Sequence, residues 1–394
     1  MASGDEASEQ ASSSCGVFHV VPIPGKGHGC RAMRDIEKGE RIVAEAPLLM
    51  QGPGQPPLNA AVESLSPAGR QQFYALTQNQ LRFGVTPTAR GIFATNAHPC
   101  HDFNLLYRGI FPVIARMNHA CDASACYRWN ANLQKLTVHA ARRITAGEEI
   151  TVCCERTPSI AYAQPLISTA DACAHSHAST DSFDGLLREQ RQRHLRELFG
   201  FSCACAKCSL RDAELKRSDE RLAAIGSVSE CVHELVQAGP DGSYLRNVHK
   251  TAPAIFLERM DARWFILRDE FPPDGRADGV ECFLQAFVEL CERAAAKLRR
   301  LAAEAAKQGG VSAKGSSDAL QDRALAYMEA ARDWADLSRD LTRDLKGEDS
   351  PAYQLWAKAL DIDGVWDEGG SLDFYQRWVD AGLGRHPYCH RELA

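Results

Sequence analysis

Short apolar runs separated by turn residues occupy two stretches of the chain. Residues 16–50 alternate runs of strand length with glycine and proline, and Lys38-Gly39 is a typical turn pair. Similar runs return over residues 111–151 and end in the letters GEEIT at 147–151, a turn that leads into a strand. The pattern predicts two β-rich stretches on either side of a middle segment.

The rest of the chain has mainly helical patterns. Residues 51–110 open with the Pro/Gly-rich letters QGPGQPP and continue with helix-like periodicity, and residues 186–199 read as a charged helix. Two apolar stripes with three- and four-residue steps predict an antiparallel helix pair joined by a flexible link, QGGVSAKGSS, at 308–317. The stripes consist of Phe283, Phe287, Leu290, Ala294, Leu298 and Leu301, and of Tyr327, Ala331, Trp334, Leu337, Leu341 and Leu345. The expected fold class is α+β with an all-helical C-terminal domain.

Composition fits a globular protein of two domains. The chain has 394 residues, of which 45% are hydrophobic and 24% charged. No apolar run approaches the length of a membrane span, and residues 1–15 lack the features of a secretory signal, which predicts a disordered leader. Fifteen cysteines without such a signal favour a reducing compartment, the cytoplasm and/or the nucleus.

The net charge limits the choice of partners. A formal charge of −6 and an isoelectric point near 6.1 argue against direct nucleic-acid binding. A basic partner such as a lysine-rich peptide fits this charge better. A monomer is the expectation, although the sequence does not determine the oligomeric state.

Three closely spaced cysteines form the clearest chemical motif. Cys203, Cys205 and Cys208 have the spacing CxCxxC, which suits a soft cation such as Zn²⁺. A closed zinc site needs four ligands, and the best distant candidate for the fourth is Cys121. The alternative is three reduced thiols without a metal. An all-cysteine set also argues against a catalytic zinc hydrolase, which needs an open coordination position.

Two further motifs are weak when each is taken alone. The letters GKGHG at 25–29 let the backbone approach a ligand closely, but a plain glycine-rich turn has the same composition. The pair Asn118-His119 is most often an ordinary turn. Their value lies in their combination with the cysteine tail.

In this order, the motifs resemble the SET-domain protein lysine methyltransferases, over about residues 16–210. The shared landmarks are GKGHG, KGERIVAEAPLL, ATNAHPC, FPVIARMNHACDAS, GEEIT and GFSCACAKC. The resemblance is strongest to the fungal-type and SET-and-MYND branches, but residues 51–110 contain only Cys100, so no MYND finger is evident. It implies a SET domain over 16–200 with a helical insert at 51–110 and atypical insertions at 152–184. A post-SET zinc segment at 201–210 and a helical domain at 211–394 would follow.

The resemblance implies S-adenosylmethionine as cofactor, Zn²⁺ as a structural metal and a lysine-containing protein or peptide as substrate. Cofactor contacts would come from the glycine-rich turn, the Asn-His pair and the cysteine tail, with Phe201 stacked on the adenine. The implied contacts are Lys26, Gly27, His28, Asn96, Asn118, His119, Tyr162 and Phe201. The implied zinc ligands are Cys121, Cys203, Cys205 and Cys208.

The catalytic tyrosine is the main departure from the family pattern. The family form GEEITxxY would place Cys154 at the tyrosine position, and a thiol is a poor hydrogen-bond donor. Removing residues 152–159 joins GEEIT to IAYAQPL, which makes Tyr162 the better candidate and 152–159 an insertion. Ala120 also replaces a family serine. A catalytically silent adaptor that keeps the zinc and the helical domain is therefore the competing hypothesis.

A second metal site is the weaker interpretation of the residues near this insertion. Cysteines and histidines occur there in a low-complexity setting, which favours incidental residues. They are Cys153, Cys154, Cys173, His175 and His177.

Overall fold

The computed structural model describes residues 16–100, 107–153, 186–223, 248–250, 252–270 and 277–361. The chain divides into two compact units. The first comprises Met1–Glu155, Arg188–Leu210 and Asp344–Gly347; the second comprises Arg156–Leu187, Arg211–Arg343 and Glu348–Ala394. The domain boundaries predicted from the sequence stay predictions.

Ten strands, all in the first unit, form three small sheets within the described residues. They are β1 (Phe18–Ile23), β2 (Gly27–Ala32), β3 (Arg41–Glu45), β4 (Leu49–Gln51), β5 (His98–Pro99), β6 (Arg108–Ile110), β7 (Asn118–His119), β8 (Ala125–Asn130), β9 (Lys135–Ala140) and β10 (Glu149–Val152). The sheet orders are β1-β2-β10-β7, β3-β9-β8 and β4-β6-β5. The two β-rich stretches that the pattern predicts are confirmed.

β10 is central to the first sheet. On one side it pairs antiparallel with β2, with Ile150 opposite Cys30. On the other side it pairs parallel with β7, with Thr151 opposite Asn118 and Val152 opposite His119. Neighbouring strands lie about 4.8 Å apart, so β10 brings the glycine-rich turn and the Asn-His pair into one neighbourhood.

The core of this unit explains why the strands hold their register. Buried residues of β1, β2 and β10 form one apolar cluster with residues of the almost fully buried β9. The largest fully buried side chains of this core include Phe18, Ile36, Ile42 and Phe111. Full burial of one such side chain contributes about 1.5–3 kcal/mol.

The middle segment contains helices and also strands. Helices α1 (Leu58–Glu63), α2 (Pro67–Tyr74), α3 (Gln80–Phe83) and α4 (Ala89–Asn96) confirm its helical character. Side chains of Ser66, Asn79 and Thr88 cap the N-termini of α2, α3 and α4. Towards its end the segment also contains β5 and β6, and β6 pairs with both β4 and β5 in a sheet.

Two further helices of the first unit lie close to the cysteine tail in sequence. Helix α5 (Arg188–Phe199) agrees with the charged helix predicted from the sequence, and the short α6 (Ala206–Ser209) contains the last cysteine of the tail. Leu195 and Leu198 of α5 are buried together with Arg191, while its other charged side chains are mostly exposed.

Every described part of the second unit apart from short turns is helical. Residues 212–223 are helical, and they are followed by α7 (Pro253–Glu270), α8 (Ala277–Lys307), α9 (Val311–Lys346), whose last residues belong to the first unit, and α10 (Pro351–Leu360). Phe287 of α8 stacks on Trp334 of α9 with ring centroids 5.0 Å apart. Both residues lie at similar distances from the α8–α9 connection, so the two helices run antiparallel, as predicted. No helix among the described residues is long and apolar enough to cross a membrane.

Two details of the predicted helix pair were wrong. The link predicted at 308–317 is much shorter, because α9 already begins at Val311. The second stripe is also less regular than predicted, since Leu337 and Leu341 are only half-buried, whereas Ser338 and Thr342 are buried. These two hydroxyls donate to the helix's own carbonyls, Ser338 to Trp334 and Thr342 to Ser338, each at 2.7 Å. Such back-bonding satisfies a buried hydroxyl.

Candidate cofactor and metal site

The glycine-rich turn needs glycine for two different reasons. Gly27 has φ +74°, a left-handed conformation that other residues rarely adopt. Gly29 is needed for space, because a Cβ there would lie 2.6 Å from both Asn118 Nδ2 and Ile23 Cγ1. The turn is closed by the Lys26 N–H, which donates to the Ile23 carbonyl at 3.0 Å. It is therefore built for close packing against the Asn-His strand.

Glu149 of β10 connects the turn to that strand. Its carboxylate pairs with Lys26 Nζ at 2.8 Å and accepts a hydrogen bond from Asn118 Nδ2 at 2.9 Å. The same amide nitrogen also lies 3.2 Å from the His28 carbonyl. Glu149 is not among the site residues predicted from the sequence. The available signal was a charged residue at the start of a strand whose following residues are all buried.

Glu45 fixes the chain just before Asn118. Its two carboxylate oxygens accept the N–H groups of Val113 at 3.0 Å and Ile114 at 2.9 Å. These donors lie at the start of a single 3₁₀ turn, Ile114–Arg116, which leads into β7. Burial raises the pKa of Glu45, and the two N–H groups oppose that rise. Sequence patterns gave no indication of this long-range cap.

The loop after His119 is attached to β10 by a reciprocal pair of hydrogen bonds. The Ser124 N–H donates to Thr151 Oγ1 at 3.1 Å, and the Thr151 N–H donates to Ser124 Oγ at 3.0 Å. Both side chains are buried. Because Cys121 lies in this loop, the same two bonds hold its thiol in place relative to the sheet.

Phe201 lies at the other side of the Asn-His pair. Its ring centroid is 5.8 Å from that of His119, with the planes tilted by 53°. His119 is buried, whereas Phe201 is 36% exposed. Phe201 follows α5, and Gln192 of that helix holds the tail through two bonds to the Cys203 backbone, at 2.7 and 3.0 Å. An exposed ring face is thus available next to the Asn-His pair.

Four cysteine sulfurs converge next to His119, whose Nε2 lies 3.2 Å from Cys121 Sγ. Those of Cys121, Cys203, Cys205 and Cys208 all lie within 4.8 Å of one another. Cys208 Sγ is 3.4 Å from Cys121 Sγ, and the Cys121 N–H donates to Cys205 Sγ at 3.3 Å. Within the described residues, this is the group of histidine, cysteine and acidic side chains with the geometry to hold a metal ion. The remote cysteine and the tail, 82 or more positions apart in sequence, therefore meet.

The thiols influence one another's ionisation strongly. Hydrogen bonds from Cys203, Cys205 and Cys208 raise the pKa of Cys121. Those from Cys121 and Cys203 lower the pKa of Cys205 to about 5. The pKa of Cys208 is also lowered, first by Cys121 and the other thiols and further by the buried Arg191 guanidinium. Thiolates packed this closely need a neutralising cation, because like charges disfavour ionisation of their neighbours.

Three other residues predicted to contact the cofactor, Lys26, His28 and Asn96, lie in two different elements. Lys26 and His28 are exposed on the glycine-rich turn. Asn96 is the last residue of α4, and its amide donates to the carbonyls of Thr77 and Ile92 at 2.7 and 2.8 Å, so its donor group is used within the insert. Its contact with a cofactor stays a prediction.

The predicted catalytic residue is not among the described residues. Tyr162, the alternative Cys154 and most of the proposed insertion 152–159 lie outside the described ranges, as do Cys173, His175 and His177. Cys153 is described and is buried directly after β10.

The fold and the converging motifs define a class of protein. Residues 27–155 match the SET domain family. This part of the chain is therefore similar to SET domains, and the relatives described next are histone-lysine N-methyltransferases.

Two kinds of relative agree with the branch predicted from the sequence. The chain is 28% identical over 253 residues to histone-lysine N-methyltransferase set5 of Schizosaccharomyces pombe, which covers 62% of this chain and 68% of that protein. It is 27% identical over 116 residues to histone-lysine N-methyltransferase SMYD3 of Mus musculus and of Homo sapiens, covering 29% of this chain and 20% of each of those proteins.

A solved structure, the SET domain of LSMT bound to lysine and AdoHcy, aligns with 91% of this chain and 93% of that one. The sequence identity is 14% and the TM-score is 0.27, too low to establish a common arrangement over that length.

Proposed function

We propose that the protein transfers a methyl group from S-adenosylmethionine to the side-chain amine of a lysine in a protein. One observation carries the proposal. The glycine-rich turn and Asn118 share Glu149 as a common partner, while His119, on the same strand, faces Phe201 beside the four cysteines. Motifs that are each ambiguous in the sequence thus occupy one neighbourhood.

The residues of this neighbourhood suit the proposed cofactor. The turn leaves open space at Gly25 and Gly27, where an added Cβ would meet nothing within 4 Å. Backbone groups there are accessible to the amino-acid part of a ligand. Phe201 offers a partly exposed aromatic face to an adenine ring, and aromatic stacking on a base is a common source of binding energy. When bound, S-adenosylmethionine supplies an electrophilic methyl group.

Zn²⁺ is the metal that we propose for the four cysteines. A tetrahedral zinc site with Zn–S distances of about 2.3 Å has sulfurs about 3.8 Å apart, and four sulfurs within 4.8 Å of one another fit that requirement. An all-thiolate set leaves no position for water, so the role is structural. It would fasten the tail carrying Phe201 to the loop that follows His119.

The protein must also make the lysine amine neutral. A free lysine has a pKa of about 10.4, so only about one amine in 2,500 is neutral at pH 7. A narrow apolar channel disfavours the ammonium form by desolvation, and a positively charged donor has the same effect. Alignment of the amine with the methyl group also lowers the activation barrier, because the entropy of orienting the two reactants is lost on binding and not in the chemical step. We propose that the Tyr162 hydroxyl helps to orient the methyl group by weak C–H···O contacts.

The partner that we propose is a basic protein segment, for which the net charge of −6 is suitable. A histone tail and another lysine-rich protein are both compatible with it. We propose a cytoplasmic and/or nuclear location. The silent-adaptor hypothesis stays the second candidate, because the letters at 152–159 interrupt the family pattern.

A methyl-transfer assay tests the proposal. The full chain is incubated with S-adenosylmethionine carrying a labelled methyl group and a mixture of core histones and lysine-rich peptides. We expect label on lysine, loss of transfer in Tyr162→Phe and retention in Cys154→Ser. Cofactor binding in calorimetry without transfer to any protein would favour the adaptor, and absence of binding would contradict the proposed function.

A further inference from the structure

Asn79 is a buried residue of the helical insert that bonds with three separate segments. It is 1% exposed. Its backbone N–H donates to Thr95 Oγ1 at 2.9 Å, and its Oδ1 accepts the Arg82 N–H at 3.2 Å, which caps α3. Its Nδ2 donates to the carbonyl of Glu197 at 3.0 Å, across 118 positions of sequence. The last bond is not needed for a helix cap.

The Glu197 carbonyl belongs to the last turn of α5, where helix carbonyls have no partner within the helix. The Gly200 N–H satisfies the carbonyls of Leu195 and Arg196, both at 3.1 Å. Asn79 satisfies the next carbonyl, that of Glu197. The insert therefore completes the C-terminal cap of α5 from outside the helix.

Gly200 packs directly on the same asparagine. It has φ +81°, and a Cβ there would lie 2.6 Å from Asn79 Oδ1. The next residue is Phe201, whose ring faces His119. Asn79 therefore fixes both the last turn of α5 and the direction in which the chain leaves it.

We propose that Asn79 is a positioning residue for cofactor binding, which acts by holding Phe201 beside His119. The inference rests on the proposed function, in which Phe201 stacks on the adenine of S-adenosylmethionine. If Asn79 has a positioning role, its substitution weakens S-adenosylmethionine binding only when Phe201 is present. A purely structural role predicts a loss of stability that is independent of Phe201.

The chain offers substitutions that separate the two roles of Asn79. In Asn79→Ser, the hydroxyl still caps α3, but the side chain is too short to reach Glu197. Ser66→Ala removes a comparable cap in the same insert, the bond from the Gly69 N–H to Ser66 Oγ at 3.1 Å, which belongs to α2 and not to the cap of α5. Ser66→Ala is therefore the matched control for loss of stability. If Asn79→Ser does not fold, Asn79→Asp keeps the cap acceptor and the size and replaces the donor by a carboxylate oxygen, which cannot bond to the Glu197 carbonyl.

The measurement is the dissociation constant of S-adenosylmethionine from the zinc-loaded full chain, by calorimetry. We expect Asn79→Ser to raise it about fivefold, the loss typical of one hydrogen bond, and Ser66→Ala to leave it unchanged. In a Phe201→Ala background, Asn79→Ser should have no further effect, since coupled residues are not additive. Hydrogen exchange should also become faster at residues 197–201 in Asn79→Ser.

The outcomes are distinct. Additive effects of Asn79→Ser and Phe201→Ala, or unchanged binding by Asn79→Ser, would overturn the positioning role while leaving the proposed function intact. If the unmodified chain does not bind S-adenosylmethionine at all, the proposed function itself fails, and faster exchange at residues 197–201 then tests only the structural link.

Discussion

The Asn118 amide donates to the Glu149 carboxylate at 2.9 Å, and this bond joins the two halves of the candidate cofactor site. The second oxygen of the same carboxylate pairs with Lys26 on the glycine-rich turn at 2.8 Å. Because β7 and β10 are parallel neighbours, the bond crosses directly from strand to strand. Glu149 thus sets the spacing between a turn and a strand that come from distant parts of the sequence.

Two substitutions of Glu149 should weaken cofactor binding to different degrees. Glu149→Gln keeps an oxygen acceptor for Asn118 but loses the charge that holds Lys26, and exposed ion pairs contribute little, so we expect a roughly two- to threefold higher dissociation constant. Glu149→Ala also leaves the Asn118 amide without its carboxylate, and we expect a rise of about tenfold. Calorimetric titration with S-adenosylmethionine measures both.

Glu148 provides the control, because it is adjacent in sequence but bonds elsewhere. Its carboxylate pairs with Arg142 at 2.5 Å and caps the turn at Thr145. Glu148→Ala should lower thermal stability without changing the dissociation constant. Equal effects of Glu148→Ala and Glu149→Ala on binding would contradict a specific role for Glu149.

Substitution of Gly29 by alanine should destabilise the first unit. The added Cβ would meet Asn118 Nδ2 and Ile23 Cγ1 at 2.6 Å, closer than any normal contact, and overpacking of this kind costs about 1–3 kcal/mol. The same substitution at Gly315 meets nothing within 4 Å and lies in α9, where alanine favours the helix by about 1 kcal/mol. Urea unfolding of both variants should give changes of opposite sign, and destabilisation by both would show that the crowding at Gly29 is not the cause.

Ionisation of the Glu45 carboxyl should make the free energy of unfolding depend on pH. Burial raises its pKa above the ordinary value of 4.5, so the stability it contributes is present in the protonated form and is lost as pH rises through the folded-state pKa. Glu45→Gln cannot ionise. The free energy of unfolding of the unmodified chain should therefore fall relative to that of Glu45→Gln as pH rises, and then stay parallel to it.

Urea unfolding of both chains between pH 4.5 and pH 8 measures this difference, with zinc content followed at each pH. At high pH the carboxylate still accepts the Val113 and Ile114 N–H groups, one on each oxygen, whereas the side-chain amide in Glu45→Gln places an NH2 group opposite one of these donors. The prediction is wrong if the free energy of unfolding of the unmodified chain rises with pH relative to that of Glu45→Gln. That result would mean that the two N–H bonds lower the pKa of Glu45 by more than burial raises it.

The sequence could predict those features that are local or that carry a distinctive spacing. Strand-length apolar runs predicted the β-rich stretches, and the CxCxxC spacing identified three thiols of the cysteine group. Cys121 was a candidate for the fourth position, although no local pattern links it to the tail. The structure brings all four sulfurs together.

Features that depend on distant side chains could not be predicted. Glu45 caps a turn 68 positions away, and Asn79 bonds to α5 across 118 positions. No periodic pattern in the sequence indicates either bond. The link at 308–317 was predicted to be flexible because of its glycine and serine content, yet α9 begins at Val311. Continuation of a helix gains one backbone hydrogen bond for each residue added, and this gain outweighs such local preferences.

Removal of zinc should release the tail from the loop that follows His119. We expect one zinc per purified chain and none in Cys121→Ser, because loss of one thiolate opens the site. Cys291→Ala is the control, since Cys291 is buried in α8 of the second unit and lies outside the four-cysteine group. Elemental analysis measures the zinc. We expect Cys121→Ser to lose S-adenosylmethionine binding, and chelation of the unmodified chain should cause the same loss, with recovery on adding zinc. Full zinc content in Cys121→Ser, or unchanged cofactor binding after chelation, would show that the cysteine group does not fasten Phe201 to the site.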